Sequence, residues 1–99
     1  MFIISLTYIK PIEEVDKHLA AHVEFLKEQY ANKKFITSGR KIPRTGGIII
    51  SNAYSKDEVE SIIAQDPFHK HEIANYEITE FIPSMAAEGF NGLLPFQSI

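Results

Sequence analysis

Residues 55–68, SKDEVESIIAQDPF, combine the start of a helix, an apolar stripe and a helix stop. Ser55 and, three residues later, Glu58 form a capping-box pattern, which predicts the first turn of a helix. The apolar residues that follow recur at the i, i+3, i+4 spacing of one buried helix face, and they are Val59, Ile62 and Ile63. Because Pro67 disfavours helical geometry in the residue before it, we predict that the helix covers residues 55–65.

Asp66 is a carboxylate in an unusual place, because it falls on the same inward stripe as the apolar residues of this helix. A buried carboxylate is costly unless it is paired or protonated, and near a helix C-terminus it also opposes the helix dipole. One interpretation is that Asp66 faces a functional partner. The other is that Asp66 is the N-cap of a short second helix, with Pro67 at its first position. The two are compatible, because one carboxylate oxygen can cap while the other faces a pocket.

The rest of the chain divides into strands and one long helix by hydrophobic periodicity. The predicted elements are strands over residues 2–9, 35–41, 48–53 and within 73–82, a long helix from about Pro11 to about Asn32, and a turn over 42–47. The resulting order, β-α-β-β-α-β, is that of the ferredoxin-like α+β fold, a four-stranded antiparallel sheet with two helices on one face. We therefore expect one domain over residues 1–82 and a tail over 83–99.

The long helix carries a histidine on its predicted inward face. That face consists of Val15, Leu19, His22, Leu26 and Tyr30, which are spaced by three or four residues. A lone histidine on an apolar face is more often a satisfied core residue than a catalyst. In this fold, however, both helices pack on one face of the sheet, so His22 and Asp66 can approach each other. A carboxylate beside an imidazole fixes its tautomer and raises its basicity, so this pair is our candidate for acid–base catalysis.

The uncovered face of the sheet and the tail both predict further packing. The strands place apolar residues in both alternating sets, and an apolar sheet face of that size is expected to find a partner. Sheet-on-sheet packing in a homodimer is the economical solution. The tail carries Phe90, Leu93, Leu94 and Phe96, which makes it too apolar for a typical disordered segment. We expect it to pack on the domain or on the dimer partner.

Composition limits the compartment and the partners. The chain has 99 residues, no cysteine and a net charge of −3. The acidic balance argues against a nucleic-acid partner, and no apolar run is long enough to span a membrane. The lack of cysteine fits a reducing compartment, and with no export signal at the N-terminus we expect a cytoplasmic protein.

The basic residues are unevenly distributed along the chain. Five of the ten lie within twelve positions, and these are Lys33, Lys34, Arg40, Lys41 and Arg44. This cluster indicates either a site for a small anionic molecule or a solvated basic loop. If the cluster is a site, Arg40 would hold the substrate anion. The other candidate pocket residues are Ser38, Ser5, Tyr8 and Phe68.

Metal binding is the weaker hypothesis for the histidines. His18 and His22 are spaced i, i+4 and could chelate a metal, but two ligands make a weak signal. His69 and His71 could be added, yet no closed ligand set follows from the sequence. We predict no metal and no cofactor.

Four features together resemble the YCII-related (YciI-like) family over about residues 1–82. They are His22 on the first helix, Gly39 near the end of the next strand, Asp66-Pro67-Phe68, and the closing Glu80-Phe81. The resemblance implies a ferredoxin-like fold that dimerises into an α/β barrel, and a His–Asp pair at His22 and Asp66. A characterised branch of that family eliminates chloride from a chlorinated aromatic-degradation intermediate, while most members have no established substrate.

The chain departs from the family pattern in two places. Arg40-Lys41 follows Gly39 where many members have proline, and His69, Lys70 and His71 stand where small residues are common. We expect both changes to make the pocket rim more polar and basic.

Two hypotheses of function follow. The first is a small dimeric enzyme for proton abstraction, isomerisation, elimination or lactone-type chemistry on a compact anionic metabolite. The second is a non-catalytic module that binds a small molecule, or another partner, in the same cleft. The sequence offers no third catalytic group, which favours the second hypothesis; turnover of a bound metabolite separates the two.

Overall fold

The strands and helices follow one another in the predicted order. A computed structural model describes residues 1–93. The elements are β1 (Phe2–Tyr8), α1 (Ile12–Ala31), β2 (Phe35–Arg40), β3 (Gly46–Ser51), α2 (Lys56–Ile63), α3 (Pro67–Lys70), β4 (Ala74–Glu80) and a 3₁₀ turn (Asn91–Leu93). The sheet is antiparallel throughout, with the strand order β2-β3-β1-β4. This is the ferredoxin-like α+β arrangement, so the predicted fold is confirmed.

β3 begins two residues earlier than predicted, because Gly46 and Gly47 belong to the strand and not to the preceding turn. Gly46 pairs with Thr7 of β1. A Cβ atom at Gly46 would lie 1.8 Å from the carbonyl oxygen of Leu6, so the position excludes a side chain. The glycine pair, which suggests a turn by composition, therefore reflects the close approach of two strands.

The core lies between the sheet and the helices. Alternate residues of β1 point into it, namely Phe2, Ile4 and Leu6. Val15 of α1 and Val59 of α2 pack in the same cluster and are fully buried. The two helices therefore cover one face of the sheet.

The buried face of α1 is rotated from the predicted one. The buried residues are Val15, His22, Phe25 and Gln29. Leu19 and Tyr30, which we expected in the core, each keep 36% of their surface exposed. Leu26 is half-buried, and like Leu19 it borders an open pocket. Periodicity locates an apolar arc on a helix, but the part of that arc that meets the sheet depends on packing.

The opposite face of the sheet is covered by none of the elements within residues 1–93. Ile3 pairs with Ile50, and Ser5 pairs with Ile48. The three isoleucines are half-buried, whereas Thr7 at the margin is exposed. The apolar part of this face is therefore a small cluster with hydroxyl groups beside it.

The described part of the tail extends from Pro83 to Leu93. Met85 and Phe90 are 88% and 60% exposed, so these two side chains do not pack on the domain. Leu94 and Phe96 lie outside the described residues. Packing of the tail on a partner stays a prediction. Within residues 1–93, no helix is long and apolar enough to cross a membrane.

Candidate active site

Asp66 caps α3, as one interpretation of the sequence proposes. Its backbone is extended, and its Oδ1 accepts a hydrogen bond from the backbone N–H of Phe68 at 2.9 Å. Pro67 occupies the first turn, where a backbone N–H would have no hydrogen-bond acceptor within the helix. The Asp66 side chain is fully buried, so the cap also holds a carboxylate beneath α1.

His22 of α1 meets this carboxylate. Its Nδ1 lies 2.7 Å from Oδ1 of Asp66, and 11% of the His22 side chain remains exposed. Capping and pairing therefore use the same oxygen of Asp66, whereas the sequence suggested one oxygen for each task. The structure brings the two candidate catalytic residues into direct contact.

Phe68 supports the imidazole from one side. The rings of His22 and Phe68 stack with centroids 4.0 Å apart and planes at 4°. Tyr8 packs edge-on against Phe68, with centroids 6.0 Å apart. Phe68 is buried and does not line the pocket beside His22. The ring of Phe68 is used to hold His22, and contact of Phe68 with a substrate stays a prediction.

Tyr76 of β4 occupies the other oxygen of the carboxylate. Its hydroxyl donates to Oδ2 of Asp66 at 2.5 Å. Burial, together with the charge of Asp66, raises the pKa of Tyr76 well above its usual value of 10.0. The sequence analysis assigned Tyr76 no role. The available signal was that a phenol on an inward face needs a hydrogen-bond partner.

The hydrogen bond with Asp66 determines the tautomer of His22. A carboxylate only accepts, so the ring nitrogen beside it carries the hydrogen and donates. In the neutral ring, Nε2 then carries the lone pair. No group within residues 1–93 forms a hydrogen bond with Nε2. His22 therefore presents a basic nitrogen to its surroundings.

His22 lines a pocket of about 160 Å³ between α1 and strands β1, β2 and β3. The apolar lining side chains are mainly those of Leu6, Leu19, Val23, Leu26 and Ile49. The polar lining side chains are His22, Tyr8, Ser38 and Arg40. The pocket thus combines apolar walls with an imidazole, two hydroxyls and a guanidinium group.

Three of the five predicted pocket residues line the pocket, and Phe68 and Ser5 do not. Tyr8, Ser38 and Arg40 line the pocket, and the hydroxyl of Ser38 is hydrogen-bonded to that of Tyr30. Ser5 lies on the opposite face of the sheet, because side chains alternate along a strand and its neighbour Leu6 faces the pocket. The structure thus places Ser5 away from this pocket, and its contact with a substrate stays a prediction.

The basic cluster separates in three dimensions. Lys34 pairs with Glu58 at 3.2 Å, and Arg44 pairs with Asp16 at 2.7 Å. Arg40 makes no ion pair with any residue in the range 1–93, and it is the cluster member that lines the pocket within that range.

The other histidines do not line the pocket. The rings of His18 and His71 stack with centroids 4.2 Å apart. His69 packs edge-on against Tyr76, with centroids 5.5 Å apart. His71 and His69 thus contact neighbouring rings, and their contribution to a basic rim stays a prediction. In the described part of the chain, no group of three or more histidine, aspartate or glutamate side chains could hold a metal ion.

Comparison with known proteins identifies the family. The sequence model of the YCII-related domain matches residues 1–82. The chain belongs to the YCII-related domain family. The match covers the whole ferredoxin-like domain and stops where the tail begins. It confirms the resemblance carried by His22, Gly39 and the Asp66-Pro67-Phe68 motif.

A solved structure shows the same fold as this YCII-related protein. It is 5-chloro-2-hydroxyhydroquinone dehydrochlorinase from Burkholderia phenoliruptrix, in complex with 2,5-dihydroxybenzoquinone. The TM-score is 0.68 at 24% sequence identity, and the match covers 82% of this chain and 93% of that chain. At this identity the similarity establishes the fold. No curated protein matches the chain.

Proposed function

We propose that this YCII-related protein is a small dimeric enzyme in which His22 transfers a proton on a compact anionic metabolite. The observation that carries the proposal is the buried His22–Asp66 hydrogen bond of 2.7 Å at the wall of a pocket. General acid–base catalysis needs an imidazole within reach of the substrate and a group that orients it. Asp66 is fully buried and reaches the pocket only through His22. His22 is therefore the catalytic residue, and Asp66 is a positioning residue.

The proposed step is a proton transfer at Nε2 of His22. The neutral imidazole accepts a proton from an acidic C–H or O–H of the substrate, and Asp66 stabilises the imidazolium that forms. Return of the proton to a different atom completes an isomerisation. Departure of a leaving group with its electron pair completes an elimination. In lactone opening, the C–O bond breaks with its electron pair going to the ring oxygen, and the imidazolium returns the proton to that oxygen.

The pocket favours a small ring-shaped substrate with an acidic group. Its volume of about 160 Å³ is below the range typical of pockets that bind drug-sized ligands. Leu19 and Val23 offer apolar walls, and Arg40 offers a charged donor to an anion. The ligand 2,5-dihydroxybenzoquinone of the similar dehydrochlorinase is a compact ring with acidic hydroxyls, so it is a suitable probe.

A homodimer is part of the proposal. Ile3, Ile48 and Ile50 form an apolar cluster on the open sheet face, and a second copy can cover it by sheet-on-sheet packing. The remaining partners of the proposal follow from the sequence. The proposed substrate is a cytoplasmic metabolite. We expect neither nucleic acid nor a membrane as a partner.

Chloride release from 5-chloro-2-hydroxyhydroquinone provides the first test of turnover, followed by a panel of hydroxyquinones and lactones. His22→Gln and Asp66→Asn should each lower turnover by roughly 10²–10⁴-fold, the usual contribution of an acid–base group. Asp66→Asn should stay folded, because Asn caps a helix about as well as Asp. Asp57→Asn removes an exposed acid from the first turn of α2 and serves as the matched control.

Two results would contradict the enzyme proposal in different ways. Turnover that survives Asp66→Asn would mean that Asp66 acts only as a helix cap. Binding of 2,5-dihydroxybenzoquinone that weakens in Arg40→Ala, without turnover of any compound in the panel, would favour the non-catalytic module.

A further inference from the structure

Tyr76 is tied to the site although it lies outside the pocket. It belongs to β4, and its ring packs against the edge of the core cluster. The side chain reaches beneath α3, where its hydroxyl donates to Oδ2 of Asp66 at 2.5 Å. His69 covers the outer side of the ring in an edge-on contact. The hydroxyl is thus held between two elements, β4 and the α3 cap.

The three donors to Asp66 are divided unequally between its oxygens. Oδ1 accepts from the N–H of Phe68 at 2.9 Å and from His22 at 2.7 Å, and Oδ2 accepts from Tyr76. The bond to Tyr76 restrains rotation of the carboxylate about its last bond. Without it, Oδ2 would have no protein donor among residues 1–93. The bond to Tyr76 therefore adds a third restraint on the carboxylate, at the oxygen that the other two donors leave open.

Tyr76 acts only as a donor in this arrangement. A phenol with an ordinary pKa of 10.0 already keeps its proton at neutral pH, and burial together with the neighbouring carboxylate raises the pKa of Tyr76 further. The phenol therefore donates, and Asp66 is the acceptor for both of its side-chain partners.

We propose that Tyr76 is a positioning residue for His22, acting through Asp66. It holds the carboxylate so that the imidazole keeps its hydrogen on Nδ1 and its lone pair on Nε2. This inference rests on the proposed function, in which Nε2 of His22 is the base. The competing explanation is that Tyr76 is a core residue whose hydroxyl merely needs a partner.

The experiment compares Tyr76→Phe with the matched control Tyr54→Phe, whose ring is exposed. The first readout is the ¹⁵N-detected NMR signal of the His22 side chain, which reports the tautomer and needs no substrate. Exchange of the Nδ1 hydrogen with water should be about tenfold faster in Tyr76→Phe, the factor that corresponds to one ordinary hydrogen bond. Tyr54→Phe should leave this exchange unchanged. The backbone amide of Phe68 shows whether the cap, and hence the fold around Asp66, is intact.

The second readout is kinetic and uses the turnover assay proposed above. Tyr76→Phe should lower kcat by about tenfold with little change in KM, because Tyr76 does not touch the pocket. An unchanged His22 signal in a folded Tyr76→Phe protein would overturn the inference. A changed signal in a protein that turns over nothing would support positioning by Tyr76 and contradict the proposed function instead.

Discussion

The two faces of the sheet differ in how their side chains are packed. On the face covered by the helices, each oxygen of the buried Asp66 carboxylate accepts hydrogen bonds from the same chain. On the open face, Ile3, Ile48 and Ile50 are half-buried, and nothing within residues 1–93 lies over them. The polar site is thus complete within one chain, whereas the apolar cluster is not. A monomer suffices to build the His22–Asp66 pair, and the proposed second copy would cover only the open face.

The largest effect is expected from Asp66→Ala on the covered face. The substitution removes the α3 cap and leaves the polar groups of His22 and Tyr76 without their partner. The free energy of unfolding should fall by about 3–5 kcal/mol, as estimated from a lost cap and two unpaired groups. Urea unfolding measures it, with the exposed Asp57→Ala as control. Equal losses in the two variants would show that the covered face is no more tightly built than the surface.

The next effect is expected on the open face from Ile50→Lys. A charge in a sheet-on-sheet interface should weaken the dimer by at least about 2 kcal/mol, or roughly thirtyfold in the dissociation constant. Sedimentation should give about twice 11.2 kDa for the wild type at micromolar concentration and a lower mass for the variant. Ala20→Lys places the same charge on exposed α1 and should stay dimeric. A wild-type monomer would remove the dimer from the proposal.

A smaller effect is expected on the free energy of unfolding at alkaline pH, where the buried phenol of Tyr76 should differ from the exposed phenol of Tyr54. The folded protein raises the pKa of Tyr76 above its usual value of 10.0, so above pH 10 only the unfolded chain loses this proton. The bond to Asp66 therefore stabilises fully below pH 10 and less as the pH rises. Between pH 9 and 10.5, the stability advantage of the wild type over Tyr76→Phe should shrink by about 0.8 kcal/mol. Tyr54→Phe should show no such trend, and an equal trend in both would contradict the burial argument.

The smallest effect is expected from two serines on opposite faces. Ser5→Ala should change stability by less than about 0.5 kcal/mol and should leave binding of 2,5-dihydroxybenzoquinone unchanged, because Ser5 does not line the pocket. Ser38→Ala removes the hydrogen bond to Tyr30 at the pocket wall and should weaken that binding. Calorimetric titration of both variants with 2,5-dihydroxybenzoquinone shows which face of the sheet contacts the ligand. Weaker binding in Ser5→Ala would show that the ligand reaches the open side of the sheet.

Much of the fold was predictable from the sequence because its signals are local. The Ser55 cap of α2 and the strand alternation of β1 each depend on residues a few positions apart. The errors, by contrast, have causes that are distant in the sequence. Gly46 was assigned to a turn because a composition cannot reveal the neighbouring backbone of Leu6. Leu19 was assigned to the core because periodicity does not say which part of an apolar arc meets the sheet.

The sequence by itself determined the order of the elements and the inward placement of His22, and it offered the cap at Asp66 as one of two interpretations. Caps and periodicity act over a few residues, so they can be inferred before the chain is folded. Only the tertiary structure decided that one oxygen of Asp66 serves both the cap and His22, that Phe68 stacks behind the imidazole, and that Tyr76 holds the second oxygen. These contacts join α1, α3 and β4, and His22 and Asp66 are separated by 44 positions in the chain. Their geometry is set by how the layers pack, a property that no local pattern encodes.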